Sequence, residues 1–314
     1  MSLEIAYFGL PLGALLLAGD GHELAFCVVP PIEAPGLRRL KNRFGERVLQ
    51  AGELGKQLES RVEHYFAQHT PDLLVSWFWT RKLPAPWLQK PRFGAIGVHP
   101  SLLPRHRGPN PFFWAIDSGD SETGASVHRL ETDYDTGAVL LQERLSIGER
   151  NSWQLARALD RTSLRCLRRV VASATTGLPT GTPQEAALAT LAPEPSGELS
   201  KADFTWPTAR VLRRIRALSP VPGLALSLAD VAFFVTQAHP SPDFTRALLP
   251  GEAEIARGRL VIRTADGAIS VEKAVLCAEA EDDTGEEVSA KELAEHMAER
   301  IAATRGSSFK GEDG

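Results

Sequence analysis

Residues 93–137 read FGAIGVHPSLLPRHRGPNPFFWAIDSGDSETGASVHRLETDYDTG. Ala95, Ile96, Gly97 and Val98 make a short apolar run of the kind a buried strand needs, and the run ends at His99. Pro100 and Pro104 then bar a regular ladder or helix through Ser101, Leu102 and Leu103, because proline lacks the amide hydrogen and restricts the residue before it. The backbone groups of so irregular a segment need partners, and a bound ligand can supply them. Gly108 and Pro109 close the loop, and Phe112, Phe113, Trp114 and Ile116 predict a helix docked on apolar neighbours. A strand over 125–130 carries His128, and an acidic turn follows with Asp133, Tyr134 and Asp135 leading into Thr136-Gly137.

Upstream, residues 3–9 read as a strand, 10–17 as a helix that Pro11 suits at its start, and 23–29 as a second strand stopped by Pro30-Pro31. This is the βαβ opening of a parallel sheet. Gly9 and Gly13 do not form G-x-G-x-x-G, which argues against a dinucleotide site. Leu58, Val62, Tyr65 and Phe66 fall at helical spacing within 54–69, and 72–78 reads as a buried strand. Trp77, Phe78 and Trp79 would line a ligand pocket or, more commonly for an aromatic run, the core. Downstream, 138–145 is strand-like and 152–174 helical, whereas 177–197 is rich in Pro, Thr, Gly and Ala and reads as a linker.

The chain has 314 residues, enough for two domains, with 43% hydrophobic and 24% charged residues and a net charge of −4. That balance excludes a globally basic nucleic-acid binder. Three scattered cysteines give neither a disulfide framework nor metal spacing, and no histidine motif marks a metal centre. No apolar run reaches membrane-spanning length, so a cytoplasmic protein is expected.

The stretch GVHPSLLPRHRGPNP with the later Asp-Thr-Gly resembles the folate-dependent formyltransferases. In that family an N-x-H pair and the aspartate of an Asp-x-Gly turn surround the formyl group of 10-formyltetrahydrofolate. The resemblance implies that His99 and Asp135 are the catalytic pair, that Ser101, Leu102, Leu103 and Pro104 lie on the folate with Asp133 and Tyr134 nearby, and that no metal is needed. Arg105, Arg107, Asn110 and His128 then fall toward the acceptor. The family asparagine is missing, because the position two before His99 is Gly97. LSKADFTWPTARVLRRIRALSPVPG, from residue 199, is similar to the start of the second domain of methionyl-tRNA formyltransferases, the two-domain form of the family. The fold implied is α/β, a doubly wound, mostly parallel Rossmann-like sheet, followed by an OB-like β-barrel for which runs at 226–235, 253–255, 259–263 and 268–275 also speak. The expected division is a catalytic domain over 1–180, a linker over 181–198, an OB-like domain over 199–305 with a final helix at 288–303, and a flexible tail over 306–314.

The chemistry explains why those residue types are wanted. Moving a formyl group from a folate nitrogen to an amine passes through a tetrahedral centre bearing an oxyanion, which needs a hydrogen-bond donor and a group that manages the amine proton. Histidine can do either, a carboxylate beside it orients the ring, and an asparagine amide would polarise the formyl oxygen permanently. Glycine cannot, so Asn110 and His128 stand as substitute donors. Two basic segments offer contacts to a phosphate-bearing acceptor, or ordinary solvated faces: Arg38 and Arg39 within 35–43, and Arg213 and Arg214 within 200–216. Residues 279–299 carry nine acidic side chains against Lys291 and would repel phosphate. The leading expectation is formyl transfer to an amine, foremost the methionyl group of initiator tRNA through a basic face. The alternatives are an amino sugar or nucleotide amine as acceptor, release of formate to water, or a folate-binding protein whose transfer Gly97 impairs.

Overall fold

The computed structural model describes residues 2–54, 57–277 and 285–308. Strands β1 (Glu4–Gly9), β2 (Glu23–Val29) and β4 (Leu73–Trp77) are buried at nearly every position, the pattern of strands covered on both faces. Between them run α1 (Pro11–Gly19), α2 (Leu37–Phe44), the short strand β3 (Val48–Gln50), α3 (Ala51–Leu54) and α4 (Leu58–Gln68). Next come α5 (Ala85–Gln89), β5 (Ala95–His99), α6 (Pro111–Asp117), β6 (Glu122–Arg129), β7 (Val139–Ser146) and the long α7 (Ser152–Ser173). The seven strands form one sheet in the order β3-β2-β1-β4-β5-β6-β7. The first five are parallel, and β6 and β7 complete the sheet antiparallel. The chain steps from β1 outward to β2 and later returns to β1's other edge with β4, so β1 and β4 flank the switch point where such sheets open for ligands.

Alternation along the strands feeds two cores. Ile5, Tyr7, Val75, Ile96 and Val127 meet α1 and α7 on one face, and Phe8, Phe26 and Leu74 meet Val62 and Phe66 of α4 on the other. Phe26 lies edge-on to Phe8 and Phe66 and stacks on Tyr65. Trp77 is core at 2% exposed, and Trp79 packs edge-on against Phe8.

The chain divides into two compact units, one of Met1–Pro111, Glu122–Ser146 and Arg157–Pro193, the other of Phe112–Ser121, Ile147–Ala156 and the described residues from Glu194 on. The second unit holds α8 (Thr208–Leu218) and the antiparallel strands β8 (Leu224–Leu228), β9 (Val231–Pro240), β10 (Ala253–Ala256), β11 (Arg259–Arg263), β12 (Ala268–Leu276) and β13 (Glu286–Ser289), then α9 (Ala290–Ser308). They run in the order β10-β11-β12-β9-β8. One edge of β12 is shared, its first half pairing β11 and its second half β13, which wraps the sheet into a half-barrel.

Several expectations shift. The single run expected at 226–235 is a hairpin, β8 and β9, turning on Ala229 and Asp230 at φ +47° and +63°. Two successive left-handed residues make this the tight hairpin usually signalled by Asn-Gly, so Ala-Asp hid it. The final helix begins at Ala290 rather than 288, because Val288 belongs to β13 and Ser289 caps the helix reciprocally with Glu292. The helix runs on through Ser308, and the rest of the expected tail, 309–314, lies outside the described residues, as does 279–284 of the acidic run. The segment read as a linker lies along the first unit: Thr182 exchanges both backbone hydrogen bonds with Val139 at 2.8 Å, and Arg107 does the same with Thr190 and Ala192 at 2.9 and 2.7 Å. Composition alone marks Pro, Thr, Gly and Ala as mobile, yet their extended backbone carries amides free to pair at an edge.

Candidate active site

Strand β5 lies between β4 and β6, and Gly97 is paired with Ser76 on one side and His128 on the other. His99 ends β5. Because β6 runs antiparallel, its C-terminal half brings His128 back beside Gly97, and the turn after it must fold over the same edge. Two backbone conformations make that possible. Asp135 sits at φ +56°, in the left-handed region, and a Cβ on Gly137 would stand 2.0 Å from the carbonyl oxygen of Arg129.

The outcome is a carboxylate between two imidazoles. Asp135 Oδ2 is 3.5 Å from His99 Nδ1, and Asp135 Oδ1 is 3.6 Å from His128 Nε2. The backbone N–H of Gly108 donates to Oδ2 at 3.1 Å. Each ring's outer nitrogen faces a backbone carbonyl: His99 Nε2 is 2.7 Å from His106 O, and His128 Nδ1 is 2.8 Å from Arg129 O. A carbonyl only accepts, so those nitrogens carry the hydrogens, and the inner nitrogens are the ones turned toward the carboxylate. Burial is the main force on His128 and pushes its pKa down to about 4, against the attraction of Asp135; His99 and Arg107 add to the depression. At neutral pH the His128 ring is therefore uncharged. A Cβ placed on Gly97 would meet Leu130 Cδ2 at 2.6 Å and His128 Nε2 at 3.3 Å, so these two side chains fill the space an asparagine would need.

The loop from Ser101 to Pro104 draws its partners from the sheet. Ser126 Oγ donates to Ser101 O at 2.6 Å and accepts from the N–H of Leu103 at 3.1 Å, while Gln142 Nε2 donates to Leu103 O at 2.8 Å. Ser101 Oγ donates to Arg105 O at 2.6 Å. The irregular backbone expected to await a ligand is thus held by β6 and β7, and Leu102 and Pro104 stay partly open. Ser126 was legible in principle, as a polar residue on the His128 face of an apolar strand. Gln184 carried no signal. Its Nε2 donates to both Asp135 O at 2.8 Å and Gly137 O at 2.7 Å, and its Oε1 accepts from Arg107 at 2.7 and 3.1 Å. One side chain therefore braces the aspartate turn to the basic loop, and Asn110 is tied to the same strap through its N–H on Ala192 O at 2.9 Å.

Other expected residues stand apart from this cluster. Asp133 and Tyr134 are exposed on the turn, where Lys82 lies 3.4 Å from the carboxylate and 5.2 Å from the ring centre. Arg105 is exposed. Arg38 and Arg39 are exposed on α2 and, with Glu33 and Lys41, line a surface cavity of about 1030 Å³ that none of His99, His128 and Asp135 lines.

In the second unit the basic segment is mostly internal. Arg214, expected to meet the acceptor, is 4% exposed; it forms two bonds to Asp117 at 2.6 and 2.9 Å and donates to the carbonyls of Leu199 and Lys201. It cannot also serve a substrate. Arg213 is half-buried beside Gly119 with its Nε unpartnered, Arg216 donates to the carbonyls of Gly148 and Arg150, and Arg210 lies over Trp206 at 3.9 Å. In sequence the helix's positive charge reads as a binding or solvated face, because the groups it bonds in space are far away along the chain.

Among the described residues no three His, Cys, Asp or Glu side chains could hold a metal ion, and no helix is long and apolar enough to cross a membrane. Residues 33–170 match the formyl transferase family, and 196–295 match the formyl transferase C-terminal domain. Methionyl-tRNA formyltransferase of Anaeromyxobacter dehalogenans is 32% identical over 272 residues, which cover 82% of this chain and 86% of that one. GDP-perosamine N-formyltransferase of Brucella melitensis is 35% identical over 194 residues, 59% of this chain and 70% of that one. HypX from Aquifex aeolicus, solved in complex with tetrahydrofolic acid, superposes with a TM-score of 0.64 at 20% identity over 96% of this chain and 48% of HypX. The sugar 3N-formyl transferase WlaRD does so at 0.64 and 13% identity, over 86% and 98%. With both halves of the chain matched and relatives aligned through most of their own length, the chain belongs to the formyl transferase family.

Proposed function

We propose that this chain moves the formyl group of 10-formyltetrahydrofolate to the amine of a phosphate-bearing acceptor, with methionyl-tRNA the first candidate. The observation that carries this reading is Asp135 held between His99 and His128 beside Gly97, at 3.5 and 3.6 Å. A carboxylate flanked by imidazoles is equipped to take the amine's proton and return it to the leaving folate nitrogen. The site falls in the first unit, within residues 1–180, and the folate contacts are assigned to Leu102 and Pro104, with Asp133 and Tyr134 at the rim; Ser101 and Leu103, buried and already bonded, shape the loop from beneath. Arg105, Arg107 and Asn110 face the acceptor side. Relatives aligned through both units, such as that of A. dehalogenans, support methionyl-tRNA.

A nucleotide-linked amino sugar is the second reading, and α8 favours it. With Arg214 and Arg216 bound internally, the second unit offers less cationic surface for an RNA than its sequence implies. Arg38 and Arg39 beside their cavity would then hold a compact phosphate. The deciding experiment incubates the full chain with 10-formyltetrahydrofolate and either methionyl-tRNA or nucleotide-linked amino sugars, and reads formylated product by mass spectrometry. Methionyl-tRNA as substrate gives product whose yield at subsaturating acceptor falls steeply with salt. Product only from the amino sugars selects the second reading, and no product from either class sinks both.

A further inference from the structure

His128 has a place in this site that Gly97 makes possible. Its ring stands where a side chain at position 97 would begin, 3.3 Å from that Cβ position, and it is 2% exposed. Its Nδ1–H is committed to Arg129 O, so the neutral ring has no N–H on Nε2. That rules it out as the donor that would replace an asparagine amide. What Nε2 offers is a lone pair, aimed at Asp135 Oδ1. Lone pair and carboxylate face each other with no hydrogen between them, an arrangement that gains when a proton enters. The groups facing the ring agree with a vacant proton site at neutral pH. Burial, with His99 on β5 and Arg107 on the loop, holds the ring neutral, against Asp135 on the turn and the carbonyl of Arg129, which both favour its protonation.

We propose that His128, seated in the space left at Gly97, is the proton-accepting partner of Asp135: a positioning residue that acts through the carboxylate. The proposal rests on the transfer reading above and deepens it. The acceptor nitrogen's lone pair forms a bond to the formyl carbon as the carbonyl electron pair moves onto oxygen. The nitrogen, now cationic, releases a proton to Asp135 Oδ1, where the Nε2 lone pair shares it. When the bond from carbon to the folate nitrogen breaks, its electron pair stays on that nitrogen, the carbonyl re-forms, and the stored proton follows. The protein ends as it began, with the proton moved from one amine to the other.

The test has a spectroscopic and a kinetic arm. The full chain, labelled with ¹⁵N-histidine, is followed by two-bond ¹H–¹⁵N correlation from pH 8 down to pH 4. His128 is expected to show a hydrogen on Nδ1 and a bare Nε2 at pH 7, with Nε2 protonating near pH 4. Single-turnover transfer from 10-formyltetrahydrofolate to methionyl-tRNA or a nucleotide-linked amino sugar is then compared for wild type, His128→Gln and His128→Gly. His128→Gln should slow transfer about 10²-fold, the usual yield of a positioned proton acceptor, with folate affinity unchanged. His128→Gly should be rescued by added imidazole but not by pyrazole, which has the same shape and is a far weaker base. A hydrogen on Nε2 at pH 7, rescue by both azoles alike, or a His128→Gln rate within about threefold of wild type would overturn the proposal. Should His128→Gln fail to fold, the spectrum and the azole pair still decide. If wild type formylates neither acceptor, the transfer reading falls and takes this role with it; a wild-type product together with any of the overturning results removes the role of His128 alone.

Discussion

Arg214 with Asp117 in the second unit, and His99, Asp135 and His128 in the first, are both buried assemblies of ionisable groups, completed to different degrees. Arg214 spends its donors on Asp117, Leu199 O and Lys201 O at 2.6–3.1 Å, and its ring-facing side lies over Trp206 and Phe113. Nothing remains for a ligand to satisfy. Around Asp135 the outer contacts are equally firm, but the two inner separations are 3.5 and 3.6 Å, too long for hydrogen bonds. The charged group whose partners are complete belongs to the fold. The group whose partners stop short by one proton is the one the proposed transfer reading uses.

The sharpest way to break that contrast is Asp135→Asn. The amide keeps the shape and the bond from Gly108 but cannot take a proton, so turnover should fall about 10³- to 10⁴-fold, roughly 4–5.5 kcal/mol of barrier, with the melting curve little changed. Steady-state transfer beside thermal unfolding reads both. A wild-type rate would show that the under-completed cluster is not the reacting one.

Arg214→Ala should do the opposite. It strands the Asp117 carboxylate in a buried site and should lower the unfolding free energy by about 3–5 kcal/mol, whereas replacing both partners together, Arg214→Met with Asp117→Leu, should recover most of the loss. Urea denaturation of the full chain separates these cases. If the double variant is as unstable as the single one, the pair is not a self-contained structural element.

Gln184→Ala sharpens the comparison from the side, because Gln184 touches only backbone on the aspartate turn. Losing that brace should lower kcat about tenfold, near 1.4 kcal/mol, while folate binding stays the same. A drop confined to acceptor KM would instead assign Gln184 to Arg107 and the acceptor.

Much of this architecture could be read in advance. The apolar runs of β1, β2, β4 and β5 announce a parallel sheet, because local pattern acts over a few residues, whereas His99 and Asp135 come forward as a pair only through the family resemblance of the stretch that holds them. What escaped reading depends on partners distant in sequence. Gln184 lay in a stretch whose composition looks like a linker. The cations of α8 looked free until Asp117 and the carbonyls near Gly148 came beside them. His128 was weighed as a donor because its residue type permits it, and only the carbonyl of Arg129 decides which nitrogen keeps the hydrogen.

The double grip of Gln184 makes Arg107 a shared resource. Its guanidinium gives two of its hydrogens to Gln184 Oε1, and the backbone N–H of the next residue, Gly108, donates to Asp135 Oδ2. A phosphate that draws Arg107 toward itself loosens the hold on Gln184 and, through it, on the carbonyls of Asp135 and Gly137. The turn carrying the Asp135 carboxylate is left-handed at that residue, a conformation the two carbonyl contacts help to hold. Any group that competes for Arg107 would act on the turn of Asp135 through a single amide side chain, a lever with its fulcrum in a stretch of chain whose composition reads as nothing more than a tether.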